Sequence, residues 1–398
     1  MVRRPRLVVL ASTFPARAGD STPGFVLDLA RAESESFETT VIVPAVPGAP
    51  RHERIDGIEV IRFRYFPSRW EDLADGAILE NLRARPSRWL QVPAFVAAEW
   101  WAVHRAERRL RPDVLHVHWI IPQGVVALGV MKRVPSLVTT LGGDLYGLRN
   151  PVATALKRRV VTRADAVTTM NTDMRDQLVA LGAAPDRASV MPMGADLTGI
   201  RRAAEGVERG SGRLLFVGRL VEKKGLSHLL GALRLLADLD VQLRVVGDGP
   251  LRAELQQQAH DLPATFVGAL GRAALAREYA AASLMVVPST RAASGDQDGL
   301  PVALLESMGL GTPVVASDLP GINEVVHNDE TGLLVRPGDE QGLADAVRAL
   351  VADPARALAL GARARELSEL LSVEAVGARY RELLTSLYQQ GKRPATSP

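Results

Sequence analysis

Short runs of β-branched and leucine residues recur along this chain. Each is followed by a loop containing glycine or proline, and most by a stretch with helical apolar spacing. Runs of that length suit buried parallel strands and the spacing suits covering helices, so the pattern predicts strand, helix, strand, helix throughout. Arg6 to Ser12 reads as the first strand, TFPARAGDSTPGF as its loop and VLDLARAESE as a helix. TTVIVPAVP supplies a second strand, and GIEVIRFRYFP a third that alternates through Ile58, Val60, Ile61 and Phe63. From Pro112 to Trp119, PDVLHVHW reads as a buried strand, with IPQGVVALGV as the helix after it. PSLVTTLGGDLYGL carries a strand and a glycine-rich turn with Asp144, and ADAVTTMN and ASVMPMG are two further strand ends.

Between Asp196 and Arg213 the apolar periodicity fades while glycine and charge increase, which predicts a linker over 196–212. The domains expected are therefore 1–195 and 213–371, with a tail helix at 372–390 after them. RLLFVGRL opens the second half, and its strand runs through VEKKG into an amphipathic helix. VQLRVVGDGPLRAEL places a tight turn after another strand, ATFVGAL is a short strand, and AREYAAASLMVVPS is helix then strand. The tail has helical spacing through Val376, Tyr380, Leu383, Leu384 and Leu387, and the closing PATSP is expected to be disordered.

Composition narrows the class. A chain of 398 residues exceeds one compact core, and 47% hydrophobic with 23% charged residues is ordinary for a soluble globular protein. The absence of cysteine excludes disulfides and thiolate metal sites. No apolar run approaches the ~20 residues of a membrane helix, and the first run is too short for a signal core, so a cytoplasmic protein is expected. Lysine occurs only at positions 132, 157, 223, 224 and 392, which makes the pair Lys223 and Lys224 conspicuous. No nucleic-acid module accompanies the arginines, so no such partner is expected. From Arg83 to Arg109 tryptophans mix with arginines on a helix-forming stretch. The preferred reading puts the tryptophans in the core; the other lays the stretch on an anionic membrane as a peripheral contact.

The richest chemistry lies in VVPSTRAASGDQDGLPVALLESMGLGTPVVAS, a strand, loop, helix and strand. Pro301 suits the helix's first turn and Gly311 its stop, so the helix starts beside Asp296, Asp298 and Gly299 with its N–H groups facing a strand's carboxyl end. That outlines an anion site, and Glu306 can lean toward it. Arg219 and Lys224 flank another strand-to-helix turn where a polyanion would sit, or are plain surface charges. Gly247-Asp248-Gly249 resembles a dinucleotide fingerprint but lacks its third glycine, with Arg252 in that place. Asp296 and Asp298 form a weak cation pattern. His116 and His118 share one strand face, and His118 ends its strand. Read from the residues alone, His118 is a structural histidine or a ligand contact, with metal binding the weaker alternative.

The run of FPARAGDSTPGFVLDLARA, DGIEVIRFRYFP, PDVLHVHWIIPQG, TLGGDLYGL, VMPMGAD, FVGRLVEKKG, VVGDGPLRAEL and DGLPVALLESMGLGTPVVASDLPGINEVV resembles the retaining glycosyltransferases of family 4, close to bacterial exopolysaccharide and secondary-metabolite enzymes. The resemblance covers nearly the whole chain and implies an α/β GT-B fold of two facing Rossmann-like, doubly wound domains, with the tail helix 372–390 crossing back to join the first. It implies transfer of a hexosyl group from a UDP- or GDP-sugar to a hydroxyl of a glycan, lipid-linked saccharide or small molecule, with no cofactor or metal. It further implies Asp298 and His118 at the sugar, and Arg219, Lys224, Gly299, Leu300, Pro301 and Val302 around the diphosphate. Gly247, Gly249, Pro250 and Val267 would seat base and ribose, Glu306 the ribose hydroxyls, Gly19 the donor and Asp144 the acceptor. Two departures stand out: Asp298 is one methylene shorter than the usual glutamate, and Leu141 replaces a common histidine. A sugar-nucleotide 2-epimerase, a non-catalytic nucleotide-sugar-binding partner and, more distantly, an NAD-dependent oxidoreductase are the competing expectations.

Overall fold

The computed structural model describes residues 3–16, 24–75, 78, 81–82 and 85–391. The expected donor contact Gly19 and the closing PATSP lie outside them. The chain divides into two units, Met1–Met193 with Val376–Pro398, and Gly194–Ala375.

The first unit is built on β1 (Arg6–Leu10), β2 (Glu38–Pro44), β3 (His52–Ile55), β4 (Ile58–Phe63), β5 (Val114–His118), β6 (Ser136–Thr139), β7 (Ala166–Thr169) and β8 (Ala188–Val190), in the order β3-β4-β2-β1-β5-β6-β7-β8. Neighbours pair in parallel except β3 with β4. That antiparallel edge departs from the all-parallel expectation. Its signal was Asp56-Gly57, both at positive φ, a two-residue hairpin turn of the kind that pairs adjacent strands. The expected helix IPQGVVALGV also breaks, into a turn at Ile120–Gly124 and a short helical piece at Val125–Ala127.

Helix Val92–Leu110 buries Phe95, Glu99, Val103 and Ala106. These positions occupy one helical stripe, so the tryptophans fall on the other side. Trp89, Trp100 and Trp101 are 59%, 50% and 58% exposed, which overturns the reading that placed them in the core. The tail forms helix Val373–Gly391, counted with the first unit from Val376 onward. Burial of Leu384 and Leu387 contributes roughly 1.5–3 kcal/mol each. Tyr380 donates its hydroxyl to the Met191 carbonyl at 2.8 Å, and Gly377 is small enough to lie against Ala32.

The second unit holds β9 (Arg213–Val217), β10 (Gln242–Val246), β11 (Ala264–Gly268), β12 (Leu284–Val287), β13 (Val314–Ser317) and β14 (Leu333–Val335), all parallel, in the order β11-β10-β9-β12-β13-β14. The stretch 196–212, expected as a linker, is part of this unit. Asp196 caps helix Leu197–Ala203 by accepting from Gly199 N at 2.7 Å, and Leu197 and Ile200 join the core with Leu304 and Met308. The helix has 7 residues, too few for periodicity to stand out among charges. Among the described residues no helix is long and apolar enough to cross a membrane.

Candidate functional site

In the second unit the strand order reverses between β9 and β12, and in open α/β sheets ligands bind at that switch point beyond the strands' carboxyl ends. Glycines let the loops there approach closely. A Cβ on Gly247, at φ +136, would lie 1.9 Å from the Gly218 carbonyl oxygen, and one on Gly225 equally close to the Pro288 oxygen. Leu220 N donates to Asp248 O at 2.9 Å, Gly247 N to Gly268 O at 2.8 Å and Thr290 N to Lys223 O at 2.9 Å. The ends of β9, β10, β11 and β12 are thereby tied into one edge. Arg219, Lys224, Gly247, Gly249, Pro250 and Val267 all lie on or just beyond that edge.

Lys224 reaches across it. Its Nζ lies 2.8 Å from Asp298 Oδ2, which also accepts from Ser289 Oγ at 3.1 Å. Lys223 Nζ sits 3.2 Å from Asp296 Oδ2 and 3.8 Å from Asp298 Oδ1. Burial pushes the Asp298 carboxyl up, but Lys224 and Lys223 outweigh it and hold the group below the usual carboxylate range. The aspartates that could have held a cation are thus matched by two lysines. Ala292 N donates to Asp296 O at 2.9 Å, pulling the loop into a tight turn with Gly295 at φ +81.

Gly299 and Leu300 lead from this loop into helix Val302–Gly309. Pro301 is the residue just before the helix, in extended backbone, one position earlier than the first turn expected for it. The first-turn N–H groups after it, Val302 and Ala303, stand at the positive end of the helix dipole. Glu306 is nearly buried on this helix, and its Oε2 accepts the Tyr279 hydroxyl at 2.8 Å. Burial and the neighbouring Glu306 push that phenol well above its ordinary value, so it remains a donor. Tyr279 was not singled out from sequence. It is a lone tyrosine on helix Arg272–Ala281, with no motif to mark it.

In the first unit His118 ends β5 beside β1, where that sheet's order also reverses. His118 is 1% exposed, and neither ring nitrogen has a hydrogen-bond partner among the described residues. Burial first, and His116 second, drive its pKa well below the ordinary histidine value, so the ring is neutral. His116 is the satisfied structural histidine. Its Nδ1 bonds Glu33 Oε1 at 2.7 Å and its Nε2 bonds Thr139 Oγ1 at 2.8 Å. Burial lowers His116 to about 3 and raises Glu33 well above its usual value, so the pair is a neutral hydrogen bond rather than an ion pair. His116 packs its ring 4.2 Å from that of His118 and stacks on Tyr380. Trp119, next in sequence, is held at φ +71 with ψ 135, a region costly for a residue with a side chain. A neutral His118, aimed by its neighbours, can give one hydrogen bond and accept another.

Asp144, expected at the acceptor, is held in the first unit by the backbone and a threonine. It is 3% exposed and accepts from Ile120 N at 2.6 Å and Thr140 Oγ1 at 2.8 Å, clamping the loop after His118 to the turn after β6. Leu141 lies in that turn, and its N–H reaches Asp144 Oδ1 at 3.4 Å.

Residues 25–194 match the glycosyl transferase 4-like domain, and residues 211–353 match the model of glycosyl transferases group 1. D-inositol 3-phosphate glycosyltransferase 1 of Catenulispora acidiphila is 32% identical over 74% of this chain and 77% of its own. A 2-deoxystreptamine glucosyltransferase of Streptomyces kanamyceticus is 29% identical over 84% and 90%. The match to glycogen synthase of Mycobacterium tuberculosis, at 33% identity, spans 65% of each chain. Among solved structures, sucrose-phosphate synthase from Thermosynechococcus elongatus is similar at a TM-score of 0.78 and 24% identity, covering 97% of this chain and all of that one. HepE of Anabaena, in complex with UDP-glucose, is similar at 0.70 and 20% identity, covering 96% and 99%. With two doubly wound sheets, matching domain models on both, and a relative similar over three quarters of its length, this chain belongs to the glycosyl transferase group 1 family and has the α/β fold class of the GT-B glycosyltransferases.

Proposed function

We propose that this chain transfers a hexosyl group, with retention of configuration, from a nucleoside diphosphate sugar to a hydroxyl of a glycan, lipid-linked saccharide or small molecule in the cytoplasm. The observation that carries the proposal is the Lys224–Asp298 pair at the β9/β12 switch point, set beside the start of a helix that bears Glu306. Breaking the sugar–phosphate bond leaves negative charge on the diphosphate. Lys224, Arg219 and the amides of Val302 and Ala303 are placed to stabilise it without a metal ion. Glu306, oriented by Tyr279, is placed to accept from ribose hydroxyls. Asp298 exchanges its bond with Lys224 for one with a sugar hydroxyl once the phosphate draws the lysine away. His118 supplies a neutral donor and acceptor to the sugar or its acceptor. Retention follows if the acceptor attacks on the leaving group's own face and passes its proton to a phosphate oxygen.

Names among the relatives favour UDP or GDP as carrier: a similar structure holds UDP-glucose, and a mycobacterial relative is described as GDP-mannose-dependent. The test combines thermal shift against UDP-, GDP- and ADP-sugars with transfer to an acceptor panel, reading the product's anomeric configuration by NMR. An inverted product would refute retention. Binding with no transfer across the panel would assign the chain as a non-catalytic partner, and a donor isomerised without acceptor would make it an epimerase.

A further inference from the structure

We infer that one face of the first unit, formed by the segment from Pro86 to Arg111, docks on an anionic lipid surface. The turn Pro86–Gln91 runs directly into helix Val92–Leu110. Trp89, Pro93, Ala97, Trp100, Trp101, Arg105 and Arg108 are all exposed, and their spacing follows one side of that continuous helical stretch. The opposite side carries the buried Gln91, Phe95, Glu99, Val103 and Ala106.

Exposed aromatics concentrate here. Four of the chain's five tryptophans, Trp70 included, are at least half exposed, and Leu90 beside Trp89 is 77% exposed. The Trp70 segment is tied to the same stretch, because Arg88 and Gln91 bond Asp72 at 2.7 and 2.9 Å. Pro93 and Ala97 are small enough to let the indoles stand proud.

Charge selects the occupant. Between Pro86 and Arg111 the acids are Glu99, which is buried, and Glu107, whose Oε2 is paired to Arg133 at 2.7 Å. Arg105, Arg108, Arg109 and Arg111 are exposed at the helix's end. Arg105 covers the Trp101 ring at 5.0 Å and Arg69 the Trp70 ring at 3.8 Å. Indoles prefer the headgroup level of a bilayer, and a row of arginines beside them fits phosphate headgroups. The stripe spans about 30 Å along its axis, as a helix lying in the membrane plane would. This inference does not depend on the transferase reading.

The test is cosedimentation of the full chain with vesicles of phosphatidylcholine alone and of phosphatidylcholine mixed equally with phosphatidylglycerol, at low and high salt. Binding to the mixed vesicles only, weakened by salt, is expected. Trp100→Ala with Trp101→Ala lowers affinity on the order of tenfold or more. Arg105→Gln with Arg108→Gln lowers it by about fivefold per charge. All four side chains are exposed, and circular dichroism verifies that both variants fold. Absence of binding to the mixed vesicles, equal binding to both, or unchanged binding by the tryptophan variant overturns the inference. So does a dimer that the tryptophan variant dissolves, which would assign the face to a second copy.

Discussion

Replacing Lys224 with alanine separates the electrostatic account of the site from an account based on shape alone. Lys224 and Asp298 have side chains only 19% and 9% exposed and lie 2.8 Å apart. Breaking a buried pair costs roughly 3–5 kcal/mol when nothing replaces the lost partner. Here Lys223 remains 3.8 Å from Oδ1 and Ser289 3.1 Å from Oδ2, so the folding cost should be nearer 2 kcal/mol. The effect on turnover should be larger, because a preorganised charge aimed at a leaving group is worth about 10²–10³ in kcat. Lys224→Arg should recover stability more fully than turnover, since the charge returns without its position. The pH dependence has a definite sign. Asp298 titrates below its unfolded value, so its contribution is present above about pH 4 and is lost as pH falls through the depressed value. Without Lys224 the carboxyl is depressed less, so the stability lost on acidification should be smaller and its loss complete at a higher pH. Denaturant unfolding from neutral to acid pH, with initial rates of transfer, measures both effects. Near-normal turnover in Lys224→Ala would refute the phosphate assignment.

Tyr279→Phe removes the hydroxyl that holds Glu306 and should raise the donor KM several-fold while changing kcat less; a fall in kcat with KM unchanged would contradict the ribose role. His118→Ala should abolish most transfer while donor-induced thermal shift persists. Because only the unfolded chain takes up a proton at His118 below about pH 6.5, the variant should also lose stability less steeply on acidification, as seen in unfolding midpoints. Gly247→Ala should destabilise by several kcal/mol or fail to fold, since its Cβ would meet the Gly218 oxygen at 1.9 Å and the backbone is at φ +136. Thermal melting decides it.

Much of this protein was legible because its information is local. Runs such as RLLFV and LMVV encode buried strands, glycines after them encode close turns, and a helix that starts just after Pro301 places its N–H groups at the sheet's edge. The strand alternation and the motif order pointed to the fold class and family, and Arg219, Lys224, Asp298 and Glu306 could be picked by type and spacing. Tertiary structure decided what those residues touch. Tyr279 meets Glu306 from 27 positions away, and Glu33 meets His116 from 83, distances at which no local pattern pairs side chains. It also decided that His116 is the satisfied histidine and His118 the one without a partner among the described residues, since the two have the same strand face in sequence. Asp144 proved to be a clamp because folding brings Ile120 N to its carboxylate. The tryptophans of the 83–109 stretch turned outward for a related reason: helical spacing marks two sides, and only packing against the sheet selects which is buried.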